Sequence, residues 1–114
     1  LGSPVNFGGI TAIMKRFIER LIVYEYWPWT GKFPRPRIKE RNKKTILLTS
    51  GAAPAFIGKI LMPGALKMMK EPAEITGSKV VKTIYSGLVC LEEKQKLNKK
   101  QLRSAQSAAG CLLT

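Results

Sequence analysis

Thr45-Ile46-Leu47-Leu48-Thr49 is an unbroken apolar run of strand length, and it stops abruptly at the small residues Ser50-Gly51-Ala52-Ala53-Pro54. A run of this kind suits a strand buried on both faces, as in a parallel sheet. Val80 to Tyr85 repeats the design and closes on Ser86-Gly87, while Leu1 reads as the last residue of a strand entered partway through, and a Pro/Gly-rich turn follows it to Gly9. Helical patterns follow each of the three. The order is therefore strand, helix, strand, helix, strand, helix. That alternation predicts an α/β domain with a parallel sheet and right-handed crossovers.

The clearest helix spans roughly Ile10 to Tyr24. Ile10, Ile13, Met14, Phe17, Ile18, Leu21 and Ile22 recur at helical spacing and form a wide apolar stripe, with Lys15, Arg16, Glu19 and Arg20 opposite. Thr11 or the Gly8-Gly9 pair serves its start. Ala55 to Met62 reads as a short helical turn or loop. Pro63 suits the first position of the next helix, which takes an apolar side from Leu66, Met69 and Ile75 and a C-terminal cap from Gly77. Pro72 inside it costs about 3 kcal/mol and predicts a kink or an early break. Met62, Met68 and Met69 are assigned to the core, and Tyr85 to the sheet with its hydroxyl satisfied. The last helix covers roughly Asn98 to Leu112, with Asn98 as its cap.

Residues 25–44 form a long connection. It holds Trp27-Pro28-Trp29, Gly31, Pro34 and Pro36, and seven cationic side chains against one Glu between Lys32 and Lys44. Prolines at this density exclude a regular helix or a central strand. The Trp pair is assigned first to a dimer contact, with an active-site lid or surface packing as alternatives.

Composition narrows the chemistry. The chain has 114 residues, 20 Lys plus Arg, seven Glu, no Asp and no His, for a formal charge of +13. A Ser-His-Asp triad cannot be built from these residues, nor an imidazole base or a His metal ligand. Most two-metal carboxylate sites are excluded with them. Any redox or transfer chemistry would be carried by a cofactor. Cys90 and Cys111 match no metal or redox spacing and read as reduced thiols of a cytoplasmic protein. No apolar run is long enough to cross a bilayer.

In sheets of this kind ligands sit beyond the carboxyl ends of the strands. Ser3-Pro4-Val5-Asn6-Phe7-Gly8, Thr49-Ser50-Gly51-Ala52 and Ser86-Gly87 occupy those ends. Gly and small hydroxyl residues there let backbone N–H groups approach a ligand closely. The expectation is that the first two turns converge on one rim.

Gly2-Ser3-Pro4-Val5-Asn6-Phe7-Gly8, followed by a helix with Met14-Lys15 and Phe17-Ile18-Glu19-Arg20, resembles the NAD(P)H-dependent FMN reductases and flavodoxin-like quinone reductases. Thr49-Ser50-Gly51-Ala52 is similar to the family's loop after its fourth strand. The likeness runs from Leu1 to about Leu102. It implies a doubly wound flavodoxin-like sheet of order 2-1-3-4-5, of which about three of five strands and three helices are accounted for, and a homodimer. It implies hydride transfer from NAD(P)H through FMN to a quinone or another small electron acceptor. Carried over, Ser3, Pro4, Val5, Asn6, Phe7 and Gly8 border the flavin ring, and Thr49, Ser50, Gly51 and Ala52 supply backbone contacts to its pyrimidine side. Asn6 stands where the family often has an aromatic residue, so stacking falls to Phe7 or Trp27 or is lost. The family's first strand and phosphate-binding loop have no counterpart here, and together with the opening at Leu1 this suggests a missing N-terminal segment. Two other readings stay open. One is a basic nucleic-acid-binding module built on residues 32–44 and the neighbouring Trp residues. The other is an inactive flavodoxin-like fragment.

Overall fold

The computed structural model describes residues 1–61 and 63–114. Among the described residues it is an α/β chain with a three-stranded parallel sheet and four α-helices, one more helix than the sequence suggests. Strand β1 covers Gly2–Pro4, helix α1 Ala12–Arg20, β2 Glu25–Tyr26, β3 Arg35–Pro36 and β4 Lys43–Ser50. Helix α2 covers Ala55–Leu61, α3 Pro63–Ile75, β5 Ser78–Ser86 and α4 Lys99–Leu113.

The parallel sheet has the order β1-β4-β5. Gly2 pairs with Leu48 and Pro4 with Ser50, and Ser50 in turn pairs with Ser86. Both crossovers step the sheet in the same direction. Residues of α1 and α3 pack together against Leu47 of β4, so the two helices share one face of the sheet. Leu47, Met69 and Ala73 form the buried centre there, with Leu1, Ile10, Met14, Ile18, Leu66 and Val80 packed around them. Leu47 and Met69 are fully buried, which is worth about 2 kcal/mol each in apolar transfer. Helix α4 covers the opposite face, over β5 and part of β4.

Local signals place the helix ends well. Thr11 caps α1, its side chain accepting the Met14 N–H at 3.3 Å. Asn98 caps α4 through a reciprocal box with Gln101, both bonds 2.8 Å. Gly77 closes α3 at φ +81°, a backbone region natural to glycine. A Cβ there would also stand 2.8 Å from Ile38 Cγ2.

Tertiary packing alters several sequence expectations. The regular part of the first helix is shorter than Ile10 to Tyr24: it begins at Ala12, and Leu21–Tyr24 tightens into a 3-10 turn. Its apolar stripe is also wider than its buried face. Ile10, Met14 and Ile18 meet the core, but Ile13, Phe17 and Ile22 are exposed. Leu48 is 46% exposed, so β4 is not buried on both faces; α4 packs mainly over β5 and leaves an opening beside β4. Helix α3 runs through Pro72 to Ile75 without an early break. Met69 and Ala73 on either side of it are anchored under the sheet, and that anchoring offsets the lost N–H bond. Met69 is core, Met68 is 41% exposed, and Met62 lies outside the described residues. The thiols of Cys90 and Cys111 are not joined. Among the described residues no helix is long and apolar enough to cross a membrane.

Candidate functional site

Parallel pairing brings the ends of β1, β4 and β5 to one rim, and backbone bonds join the turns beyond them. The Val5 N–H donates to Ser50 O at 2.7 Å, and the Gly51 N–H donates to Ser86 O at 3.0 Å. Leu88 N–H and Val89 N–H return to Ala53 O and Gly51 O, each at 3.3 Å. The segments 3–8, 49–52 and 86–87 therefore meet on the same rim.

The first segment folds into a two-residue hairpin. Asn6 and Gly9 exchange both N–H···O bonds at 2.9 Å, with Phe7 at φ +49° and Gly8 at φ +80°. Positive φ at both central positions is the backbone of a type I′ turn. Glycine adopts it readily, but Phe7 pays steric strain of about 1–2 kcal/mol. The strained ring is also fully exposed. The exposed side chain makes no packing contact that would offset this backbone strain.

The other residues of the two turns divide by what they already bind. Ser3 is buried, and its Oγ accepts the Thr11 N–H at 3.0 Å while lying 3.0 Å from Pro4 O. Its hydroxyl thus starts helix α1. The Gly51 N–H is engaged by Ser86. Pro4, Asn6, Gly8 and Ala52 are exposed, while Val5 and Ser50 are half-buried. The N–H groups of Phe7, Gly8 and Ala52 have no backbone carbonyl partner among the described residues. Thr49 is 5% exposed, and its Oγ1 is buried with no hydrogen-bond partner. An orphaned hydroxyl of this kind is costly and calls for an explanation.

Tyr85 shapes the second turn. A Cβ at Gly51 would stand 2.7 Å from the Tyr85 hydroxyl, and one at Gly58 would overlap its ring. The phenol lies against both glycines and donates to Ala53 O at 3.0 Å. This satisfies the hydroxyl as the sequence suggests, but the ring's role in holding residues 51–54 is visible only in three dimensions.

Beside the rim, between the sheet and α4, lies an open cleft of about 400 Å³. Leu48, Ile84, Leu97 and Ala105 make it largely apolar, and Ser50 and Gln101 add polar groups. Gln101 Nε2 donates to Ser86 Oγ at 2.7 Å. Its size and lining suit a small ligand. A somewhat larger hollow of about 470 Å³ lies between α1 and α3, lined by Ile10, Ile18, Met68 and Pro72 among others. None of the rim turns reaches it, so the rim cleft is the stronger candidate. Among the described residues no three Cys or Glu side chains converge on a metal position.

Sequence reasoning missed Gln101 and the Asn6–Gly9 hairpin. The hairpin had a readable signal, since glycine in a two-residue turn favours the primed types. Gln101 was legible only as a helix cap partner. No family model matches the chain, and neither the curated proteins nor the solved structures include a significant match.

Proposed function

We propose that this chain contributes the ring-binding rim of a flavodoxin-like, FMN-dependent NAD(P)H oxidoreductase that passes hydride to a quinone or a similar small acceptor. The supporting observation is the joined rim: a strained, exposed Phe7 at the tip of the first turn, unengaged backbone N–H groups on both turns, and an apolar cleft that Pro4 and Ser50 help to line. A flat heteroaromatic ring with a polar edge matches that combination.

The residues present fit the ring portion of FMN. Phe7 would lie against the ring, with Pro4, Val5, Asn6 and Gly8 bordering it. The N–H groups of Phe7, Gly8 and Ala52 are available as donors to its polar edge, Ser50 stands at the same rim, and Thr49 would contribute its backbone, its Oγ1 being buried. Ser3 and Gly51 act indirectly, holding the two turns in place through Thr11 and Ser86. FMN, when bound, would accept and return the hydride. The protein's share is to orient the ring, keep water from one side of it with Leu48 and Ile84, and favour negative charge near fixed N–H dipoles. No side-chain acid or base is needed for that step, which agrees with a chain lacking His and Asp. A homodimer would cover Ile13 and Phe17, one helical turn apart on α1 and 82% and 46% exposed.

Titration of FMN and of lumiflavin into the full chain tests the proposal, because lumiflavin carries the ring without the phosphate. Both should bind, with quenched flavin fluorescence, and Phe7→Ala should weaken each by about threefold to tenfold through lost stacking. If neither flavin binds, or if Phe7→Ala leaves both affinities unchanged, the proposal fails.

A further inference from the structure

The segment after α1 is a built element at the opposite end of the sheet from the rim. Helix α1 starts beside Ser3 and runs back along the sheet, and the 3-10 turn after it ends at Tyr24, whose carbonyl accepts the Arg37 N–H at 2.7 Å. Ile38 lies beside Gly77, whose carbonyl accepts the Lys43 N–H at the amino end of β4 at 3.1 Å. Between these anchors β2 and β3 form an antiparallel ribbon, pairing Glu25 with Pro36 and Tyr26 with Arg35. The Gly31 N–H closes its tip on Pro28 O at 2.8 Å. Trp27 and Trp29 therefore lie away from this chain's own rim.

The ribbon carries exposed rings with Lys32 and Arg35, and the chain after it adds Lys39 and, at the start of β4, Lys44. Trp27 is 62% exposed, Trp29 fully exposed and Phe33 75% exposed. Of the seven cations from Lys32 to Lys44, Arg41 pairs with Glu74 at 3.5 Å and Lys43 Nζ donates to Thr76 O. Arg37 bonds Val23 O and lies 5.5 Å from the Tyr26 ring centre. Lys32, Arg35, Lys39 and Lys44 have no carboxylate partner among the described residues.

We propose that this ribbon and the segment leading from it into β4 bind single-stranded nucleic acid, with Trp27 and Trp29 stacking on unpaired bases and Lys32, Arg35, Lys39 and Lys44 contacting phosphates. Every base has a π-face, so the recognition is tolerant of sequence. Two other occupants fit less well. A second copy of the chain would bring its own +13 charge to the same cations. An anionic bilayer is held best by a basic amphipathic helix, and the charge here sits on a proline-stiffened ribbon.

Fluorescence anisotropy of a labelled oligo(dT) with the full chain tests this independently of flavin binding. Four phosphate contacts on a single strand predict a log–log salt slope of about −3, so affinity should fall about 50-fold between 50 and 200 mM salt. Joint Trp27→Ala and Trp29→Ala should weaken binding at least about tenfold and leave the slope unchanged. Joint Lys32→Gln, Arg35→Gln, Lys39→Gln and Lys44→Gln should flatten the slope. A wild-type slope near zero or absent binding at 50 mM salt overturns the proposal without any variant. So does wild-type behaviour in both folded variants, binding to phosphatidylserine vesicles but not to oligo(dT), or a concentration-dependent dimer that shields both Trp residues.

Discussion

Gly58→Ala should destabilise this protein even though alanine is the better helix former. Gly58 lies in α2, where the exchange alone would favour the helix by about 1 kcal/mol. The added Cβ, however, would overlap the Tyr85 ring, standing 2.5 Å from Cε1 and from the hydroxyl oxygen. Ordinary contact needs about 3.5–4.0 Å between carbons, so the ring must shift by about 1 Å or more. Overpacking of that size costs about 1–3 kcal/mol. The shift also breaks the Tyr85–Ala53 bond, at about 1 kcal/mol. The net loss is about 1–3 kcal/mol, or about 4–12 °C in Tm at about 4 °C per kcal/mol. Thermal melts followed by circular dichroism would measure it. The control is the same exchange in a Tyr85→Ala background, where the ring is gone and only helix propensity remains. There Gly58→Ala should raise Tm by about 4 °C. A rise in the wild-type background, or the same loss in both, would refute the account of Tyr85 as the wedge behind the rim turn.

Three further outcomes follow from the same geometry. Thr49→Val keeps the shape and removes the orphaned hydroxyl, so the ligand-free protein should gain about 1 kcal/mol in urea unfolding, and an equal or larger loss would mean that Oγ1 has a partner in solution. Phe7→Asn places a residue tolerant of positive φ at φ +49° and should stabilise the hairpin by about 1 kcal/mol while weakening flavin binding, so unchanged stability would argue against strain there. Asn98→Ala removes one side of the capping box and should cost about 1 kcal/mol, read as a lower Tm with faster amide exchange in the first turn of α4.

The caps and the strands show how much a local signal can carry. Thr11, Gly77 and Asn98 mark helix ends in the chain and mark them in the structure. Each acts within a few residues of itself, through its own side chain or its own φ. The apolar runs ending at Thr49 and Tyr85 likewise foretold parallel strands whose small-residue turns share a rim. Periodicity and turn chemistry are properties of short windows, so they locate elements and their ends, while packing decides cases such as Pro72 inside α3.

What the sequence by itself determined is the alternation of strands and helices, their caps, and a rim of glycine and hydroxyl residues short of His and Asp chemistry. Tertiary structure alone decided that the Ser3 hydroxyl is consumed by Thr11, that Tyr85 fills the space between Gly51 and Gly58, and that Leu48 faces an open cleft. It also turned residues 25–36 into a ribbon at the far end of the sheet. Those outcomes depend on groups brought together from distant parts of the chain, where packing and competition for hydrogen bonds settle each side chain's role, and no local pattern encodes that competition.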